Sequence, residues 1–458
     1  MASCKGAGSR VIFFPSPYQG HFNPMIRLAG ALHARGLAVI VFHTELHEPD
    51  PADFPADYRF VPVPVDVCQD VAASEDIARL VIELNTSSKA PFKDRLAALL
   101  AEGEEGGGVL CVITDVLWYA AQAAARELGV PTMGMMTSCA SSFRMFMAYP
   151  ILIEKGYLLS AHKNDPVDVL PPFRVRDLQR IETSSLSDFA SLLRDTVTGA
   201  RQSSGLIINT SEAIEAAELD MIRKGMAIPV FAVGPLNKLS PAAKTSLYEL
   251  QQDRQCLDWL DMQAPGSVVY VSFGSHAEMY RHEFLELAWG LADSKCPFLW
   301  VVRPSLVRGY ESRELPDELQ KEICNRGRVV DWAPQDDVLA HPAICAFLTH
   351  NGWNSTIEAL SEGVPMISRP FFGDQFGNAR YVCDVWRVGI QVKVEAQLER
   401  GEIEASIEKL IYSEEGKEVR ERMKKLSKKV DGGIKDGGSS HSAVGNLVDT
   451  IMSFQNCK

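Results

Sequence analysis

A short apolar run, a helical pattern and a second apolar run follow one another near the start of the chain, and this order restricts the fold more than any other feature. Residues 11–14 (VIFF) predict a buried strand, and residues 37–43 predict a second one. Between them, Asn23-Pro24 predicts the start of a helix that ends near Gly36, because asparagine favours the N-cap, proline the first turn and glycine the end. A strand, a helix and a second strand predict parallel pairing.

The same alternation occurs in both halves of the 458-residue chain. Further strands are predicted at residues 109–114, 206–208, 230–233, 268–273, 298–302, 344–348 and 364–368. Charged helical and glycine-rich patterns end the chain: residues 415–430 predict a helix, and residues 431–440 predict a break before a last helix.

A polar segment rich in serine, alanine and lysine separates the halves at residues 241–253 and predicts an interdomain linker. We therefore predict an α/β fold of two facing Rossmann-like domains, residues 1–240 and 254–440, with a cleft between them. The last helix, within residues 441–458, is expected to pack back on the first domain. Ligands of such parallel sheets bind beyond the carboxyl ends of the strands, so the cleft is the expected site.

Charge and cysteine content exclude several classes of partner. The net charge of −13 argues against nucleic-acid binding, which needs a basic surface. None of the ten cysteines forms a CxxC motif or a Cys/His pair with metal-ligand spacing, which favours free thiols in a reducing compartment and no metal site. The first apolar run is too short for a signal peptide, and no run approaches the ~18 residues of a membrane span. We expect a cytoplasmic monomer.

Sequence fingerprints of other nucleotide enzymes are missing or misplaced. Gly6-Ala7-Gly8 resembles the start of a dinucleotide fingerprint, but it precedes the first strand instead of following it, so we interpret it as a flexible terminus. The sequence contains neither the GxxxxGK[ST] phosphate loop nor the GxSxG nucleophile motif. Dehydrogenase, P-loop and α/β-hydrolase functions are therefore disfavoured.

The segment 332–375 carries the strongest chemical signal, because a glycine-containing loop joins a strand to a helix there. The helix N-terminus offers free N–H groups and a favourable dipole for phosphate, and His350, Asn354 and Ser355 add donors at the same place. Glu358 lies one turn further along, where its carboxylate can accept from ribose hydroxyls. Asp374-Gln375 follow the next strand and are expected at the rim of the same crevice.

This segment resembles the signature box of plant UDP-sugar-dependent glycosyltransferases, glycosyltransferase family 1. It reads WAPQDDVLAHPAICAFLTHNGWNSTIEALSEGVPMISRPFFGDQ. The resemblance extends from Gln19-Gly20-His21 to the glycine- and serine-rich tail at 437–440, and in detail the chain is similar to grass enzymes that glucosylate benzoxazinoids and to relatives acting on flavonoids. One position departs from the family, since Cys345 stands where glycine is usual; we expect a packing change in the strand and no lost chemistry.

The resemblance implies a GT-B fold and a donor site for UDP-glucose, with no further cofactor. Trp332 would stack on uracil, with Gln335 near uracil and ribose, while Glu358 would hold the ribose. The sugar would contact Trp353 and the pair Asp374-Gln375. The complete implied donor set is Ser275, Trp332, Ala333, Gln335, His350, Trp353, Asn354, Ser355, Glu358, Asp374 and Gln375.

His21 and Asp115 are the candidate catalytic pair. Both follow predicted strands of the first domain, so both are expected at the carboxyl edge of its sheet, with His21 in a loop. A neutral imidazole can take the proton of an acceptor hydroxyl near neutral pH, and a carboxylate on its other nitrogen fixes the tautomer. The resemblance implies the same dyad.

An apolar acceptor is predicted from large apolar residues in the presumed cleft loops of the first half, because such a lining suits a flat aromatic ligand. They are Phe22, Trp118, Met136, Phe143, Phe146 and Met147. The predicted function is an inverting UDP-glucose-dependent glucosyltransferase that forms a β-glucoside on a small plant metabolite. Two alternatives stay open: a non-catalytic binder of UDP-sugars or small molecules, and an epimerase or hydrolase of UDP-sugars with the same fold.

Overall fold

The computed structural model describes residues 9–72, 76–102, 108–179, 185–240, 253–309, 315–324, 326–393 and 398–457. Gly6-Ala7-Gly8 and residues 241–252 of the predicted linker lie outside these ranges. The described residues form two parallel sheets with helices on both faces, which confirms the predicted α/β class.

The first sheet has seven parallel strands in the order β3-β2-β1-β4-β5-β6-β7. Their bounds are β1 Arg10–Phe14, β2 Ala38–His43, β3 Arg59–Pro62, β4 Val109–Asp115, β5 Thr132–Met136, β6 Gly205–Ile208 and β7 Val230–Ala232. Helices packed on this sheet are α1 Gln19–His33, α2 Gln69–Ala72, α3 Ile77–Ala101, α4 Tyr119–Glu127, α5 Ala140–Glu154, α6 Leu186–Arg201, α7 Glu212–Gly225 and α8 Leu236–Leu239.

The second sheet has six parallel strands in the order β10-β9-β8-β11-β12-β13. Their bounds are β8 Val268–Ser272, β9 Phe298–Val301, β10 Gly327–Val330, β11 Ile344–Thr349, β12 Met366–Ser368 and β13 Gly389–Gln391. Its helices are α9 Gln255–Asp261, α10 Arg281–Asp293, α11 Asp317–Ile323, α12 Gln335–Ala340, α13 Trp353–Glu362, α14 Gln375–Arg380, α15 Arg400–Tyr412 and α16 Glu414–Ile434. The last helix of the chain is α17 Ser439–Ser453. A π-helical turn, Tyr381–Val385, continues α14.

Both sheets reverse their strand order at one point, and these points position the site. The first sheet turns between β1 and β4, and the second turns between β8 and β11, as in a Rossmann sheet. Loops that leave the carboxyl ends of the two central strands run to opposite faces there and open a crevice. The strands beside it are buried on both faces, which explains why β1 and β4 read as continuous apolar runs instead of alternating ones.

The last helix, α17, packs on the first sheet although it follows the second one in the chain. Val444, Leu447 and Ile451 lie in the same buried cluster as Val11 and Phe13 of β1. Their spacing of three and four residues places them on one helical face. The predicted domain boundaries themselves stay a prediction.

Two helix boundaries differ from the sequence prediction. Helix α1 begins at Gln19, after an extended Tyr18, and carries Pro24 inside it, so Asn23-Pro24 is not its start and His21 lies on its first turn, not in a loop. Helix α16 continues through Gly432 and Gly433 to Ile434, which leaves a break of only four residues before α17. Packing against α7, α13 and α17 compensates for the low helix propensity of these glycines.

Cys345, the departure from the family pattern, lies where the pairing of β11 with β8 shifts register. Its thiol donates to the carbonyl of Val268 at 3.2 Å. This bulge is at the amino end of β11, and the site lies beyond the carboxyl end, which is consistent with a packing change; that no chemistry is lost stays a prediction.

Each helix within the described residues is too short or too polar to cross a bilayer.

Candidate functional site

A cleft of about 1330 Å³ lies between the carboxyl edges of the two sheets. Thirteen predicted catalytic and donor-site residues line it, which brings together side chains from positions 21 to 375. They are His21, Asp115, Ser275, Trp332, Ala333, Gln335, His350, Trp353, Asn354, Ser355, Glu358, Asp374 and Gln375. The roles of these residues toward a ligand stay predictions.

His21 and Asp115 form a close pair at the switch point of the first sheet. His21 Nδ1 lies 2.5 Å from Asp115 Oδ2 and 3.0 Å from Thr137 Oγ1. The other oxygen of Asp115 accepts from the backbone N–H of Leu117 at 3.0 Å. A carboxylate can only accept, so Nδ1 carries the proton and Nε2 is left as the basic nitrogen.

Burial differs between the two members of this pair. The Asp115 side chain is fully buried, whereas a third of the His21 side chain is accessible from the cleft. Burial by itself lowers the pKa of His21, but the charge and hydrogen bond of Asp115, with a smaller contribution from Asp374, raise it above 6.5. The pair therefore favours an imidazole that is more basic than a free histidine and opens onto the cleft.

His350 follows β11, and its ring lies against two glycines. A Cβ atom at Gly352 would be 2.4 Å from His350 Nε2, and one at Gly274 would be 2.7 Å from the same atom. Gly274 also has a φ of 68°, which favours glycine. Burial, with the charge of Arg303, lowers the pKa of His350 to about 3, so the ring is neutral at physiological pH and carries a single N–H.

Helix α13 starts at Trp353, three residues after this histidine, and points its N-terminus at the cleft. Gly352 is its N-cap and has no side chain to cap the helix, so the first-turn N–H groups are available to an anion. Asn354 in this turn donates its side-chain N–H to the carbonyl of Gly20, at 2.9 Å. That carbonyl is accessible because Pro24, four residues on, has no N–H to bond to it.

A hydrogen-bonded network surrounds Glu358, one turn further along α13. Gln335 donates to Glu358 Oε2 at 2.8 Å and to Ser355 Oγ at 2.9 Å, and Gln335 Oε1 accepts from Tyr270 at 3.2 Å. Arg27 of α1 donates to Glu358 Oε1 at 2.9 Å. Burial and the nearby Asp336 raise the pKa of Glu358 to about 7, against the opposing effect of Arg27 and Gln335.

Asp374 and Gln375 lie where α14 begins, opposite the catalytic pair. Asp374 Oδ2 accepts from Ser138 of the first domain and from Asn378, the latter at 3.2 Å. Burial raises the pKa of Asp374, and its hydrogen bonds and His21 oppose this. Gln375 Oε1 accepts from the backbone N–H groups of Phe371 and Phe372 at 2.8 and 3.1 Å, which fixes the amide at the rim.

Trp353 lines the cleft, but its indole is part of the contact between the domains. Its Nε1 donates to the carbonyl of Asn209 at 2.6 Å, and its side chain is buried in the core under α13. A sugar can therefore meet its backbone and the edge of its ring, while the indole N–H is already paired.

Two of the six residues predicted for the acceptor pocket line the cleft, and four do not. Met136 and Phe146 line the cleft. Three of the other four are core residues: Phe22 packs in the cluster under α1, Trp118 stacks on Phe14 at 4.5 Å, and Phe143 is fully buried on α5. Met147 is half-buried and lies against Gly225. Large apolar residues near a cleft serve first as core.

Sequence reasoning missed most of the apolar wall. Helices α3 and α6 supply most of it, with Leu117 from the turn after β4, and the helical spacing of the apolar residues on α3 and α6 was the available signal. The missed residues are Ile77, Val81, Leu117, Phe189, Leu192 and Leu193. Gln179 and His276 add polar groups to the same cavity, and Arg27 reaches it from α1.

Fold and site together define a class of protein. Two Rossmann-like sheets face each other, one presents a helix N-terminus suited to a diphosphate, and the other presents a His–Asp pair beside an apolar cavity. This combination is that of a GT-B glycosyltransferase that uses a nucleotide sugar.

Comparison with known proteins identifies the family. Residues 242–430 match the family model described as UDP-glucoronosyl and UDP-glucosyl transferase. The chain is 58% identical to a DIMBOA UDP-glucosyltransferase of Zea mays over 98% of both chains, and 57% identical to a second one over 99% of this chain and all of the relative. A UDP-glycosyltransferase of Arabidopsis thaliana is 41% identical over 97% of this chain and 98% of its own. The chain belongs to the UDP-glycosyltransferase family and is a glycosyltransferase.

Solved structures agree with the fold. A UDP-glucosyltransferase from Polygonum tinctorium, capable of glucosylating indoxyl, superposes with a TM-score of 0.84 at 28% identity, over 97% of this chain and 99% of that one. A protein from O. sativa in complex with UDP superposes with a TM-score of 0.79 at 26% identity, over 96% and 100%. The predicted GT-B fold is confirmed.

Proposed function

We propose that this protein is an inverting UDP-glucose-dependent glucosyltransferase that forms a β-glucoside on a hydroxyl of a small, largely apolar plant metabolite. One observation carries the proposal: the His21–Asp115 pair and the N-terminus of α13 line the same cleft, from opposite domains. A base for an acceptor and an anion site for a leaving group are the two requirements of a single displacement at an anomeric carbon.

His21 acts as the base toward the acceptor. The proton of the acceptor hydroxyl goes to Nε2 of His21 while the acceptor oxygen forms a bond to the anomeric carbon. In the same step the bond from that carbon to the diphosphate breaks. Asp115 stabilises the imidazolium that forms, through the 2.5 Å contact to Nδ1. One displacement inverts the configuration, so an α-linked donor gives a β-glucoside.

The donor lies along the second domain, with its charge at the start of α13. Negative charge that builds on UDP meets the free N–H groups and the dipole of this helix, with His350 as a neutral donor beside them. Trp332 and Gln335 hold the uracil end, and Asp374 and Gln375 hold the sugar at the end nearest His21. The charge of His21 lowers the pKa of Asp374, so the two groups are near each other, which supports a sugar that lies beside His21.

The acceptor lies in the apolar half of the cleft, beside His21. Met136 and Phe146 with side chains of α3 and α6 form a wall for a flat ring system, and Gln179 offers a polar contact within it. The most similar relatives named above act on DIMBOA. We propose an acceptor of that type, a cyclic hydroxamic acid, or a flavonoid-like phenol of comparable shape.

The proposal also covers metal dependence, oligomeric state and location in the cell. The helix N-terminus supplies the positive potential at the diphosphate, so turnover needs no metal ion, and excess EDTA should leave it unchanged. The protein acts as a cytoplasmic monomer; sedimentation and fractionation of tissue test these two points.

An assay of UDP release separates the glucosyltransferase from the two alternatives. The protein is incubated with UDP-glucose, with and without a panel of hydroxamic acids and phenols. A transferase releases UDP only with an acceptor and yields a glucoside with a β-anomeric proton signal. A binder releases none in either arm, and a hydrolase or epimerase consumes UDP-glucose without an acceptor, so either result contradicts the proposal.

A further inference from the structure

Arg27 reaches across the cleft from α1 and binds two carboxylates of the other domain. One nitrogen donates to Glu358 Oε1 of α13 at 2.9 Å, and another lies 2.5 Å from Asp336 Oδ2 of α12. Only 12% of the Arg27 side chain is exposed, and Glu358 is buried as well. A planar guanidinium with donors at fixed angles suits such a bridge, whereas the point charge of an ammonium does not.

The contact leaves Glu358 able to bind more. Each of its oxygens has one partner in the structure, Arg27 on Oε1 and Gln335 on Oε2. A carboxylate offers about four lone-pair positions, so about two stay available to a vicinal diol. The two existing partners orient the carboxylate, and Arg27 opposes the rise in the pKa of Glu358 that burial and Asp336 cause.

Other contacts at this corner dock the domains without touching Glu358. Lys238 of α8 pairs with Glu362, one turn further along α13, and Asn237 donates to Asp336 Oδ1 at 3.4 Å. Docking and the geometry of Glu358 can thus be tested separately, because Lys238 pairs with Glu362 and not with Glu358.

We propose that Arg27 is a donor-positioning residue, by which the first domain completes the ribose end of a donor site built on the second. The proposal rests on the proposed function, in which Glu358 accepts from the ribose hydroxyls. In this proposal the carboxylate of Glu358 takes part both in binding the donor and in docking the two domains. Removing the guanidinium should therefore weaken recognition of the ribose itself, beyond any loosening of the domains.

The test compares binding of UDP and 2′-deoxy-UDP by calorimetry in the full-length protein. Wild type should prefer UDP, and Arg27→Met should weaken UDP about tenfold, since Glu358 is no longer oriented and the hydrogen bond from the ribose to this charged acceptor is lost, while 2′-deoxy-UDP weakens less. The preference for the hydroxyl then shrinks. Arg27→Lys should keep part of it, and Lys238→Met, the matched docking control, should leave it unchanged. Turnover should show the same loss in KM for UDP-glucose, with kcat affected less.

Two results would overturn the proposal in distinguishable ways. Glu358→Gln is the reference: if it abolishes the preference while Arg27→Met weakens both ligands equally, Arg27 only docks the domains and the donor site stands. If Glu358→Gln itself retains the full preference, the ribose assignment is wrong and the proposal fails with it. Should Arg27→Met not fold, Arg27→Lys decides, because an undiminished preference in that variant contradicts a bridging role.

Discussion

Gly352→Ala should disable the proposed diphosphate site while barely changing the fold. The added Cβ would lie 2.4, 3.0 and 3.2 Å from three atoms of the His350 ring, and ordinary carbon contacts begin near 3.4 Å. The ring or the loop must therefore move by about 1 Å, which puts His350 out of hydrogen-bond reach of a phosphate. Gly352 has a φ of −55° and a ψ of 143°, which alanine adopts freely, so the effect is steric and adds no backbone strain.

The magnitude follows from what is lost. A hydrogen bond to a charged group contributes about 1.5–3 kcal/mol, so UDP should bind at least about tenfold more weakly. Overpacking costs about 1–3 kcal/mol of folding stability in addition. Calorimetry with UDP and a thermal unfolding curve measure the two effects.

Gly363→Ala is the matched control, at the other end of the same helix. Gly363 has a φ of 73°, so alanine is strained there by about 1 kcal/mol, but its Cβ would meet only Ser427 at an ordinary 3.5 Å. This variant should lose stability and keep UDP affinity. If Gly352→Ala binds UDP as well as Gly363→Ala does, His350 is not part of the donor site as we propose.

Three further outcomes are expected. His21→Ala should lower kcat on weakly acidic alcohols by roughly 10²–10⁴-fold and leave UDP-glucose binding intact; equal small losses on all acceptors would contradict a base. Asp115 raises the pKa of His21, so Asp115→Asn should shift the acid limb of the kcat/KM profile to lower pH, besides slowing turnover, and an unmoved limb would oppose the pairing. Phe146→Ala should raise the acceptor KM, whereas Phe143→Ala should cost about 3–5 kcal/mol of stability without that change, as kinetics and unfolding will show.

The fold class was predictable because the central strands of both sheets are buried on both faces. Continuous apolar runs such as 11–14 and 268–273 can pack only inside a sheet covered by helices, and a helix between successive runs requires parallel pairing. The donor segment was predictable for a related reason: strand, glycine-containing loop and helix follow one another locally, so their order in the sequence is also their order in space.

The acceptor wall was not predictable, since a hydrophobic residue looks the same in a core and in a pocket. Phe143 and Phe146 are one helical turn apart on α5, yet one is fully buried in the core and the other lines the cleft. Periodicity shows which face of a helix is covered, but not whether protein or ligand covers it. Helices α3 and α6 form the wall of the cleft, and their positions depend on the packing of the whole first domain.

Contacts between the domains are the feature that local sequence rules predict least well, and Pro24 shows why. Read locally, Asn23-Pro24 starts a helix, because proline inside a helix loses a hydrogen bond. In the folded chain that loss is useful: the carbonyl of Gly20, which residue 24 would otherwise satisfy, accepts from Asn354 of the other domain at 2.9 Å. Asn354 lies 334 residues from Gly20 in the sequence. The proline that is unfavourable inside a helix therefore allows a contact between the turn that carries His21 and helix α13, where we propose that the diphosphate binds.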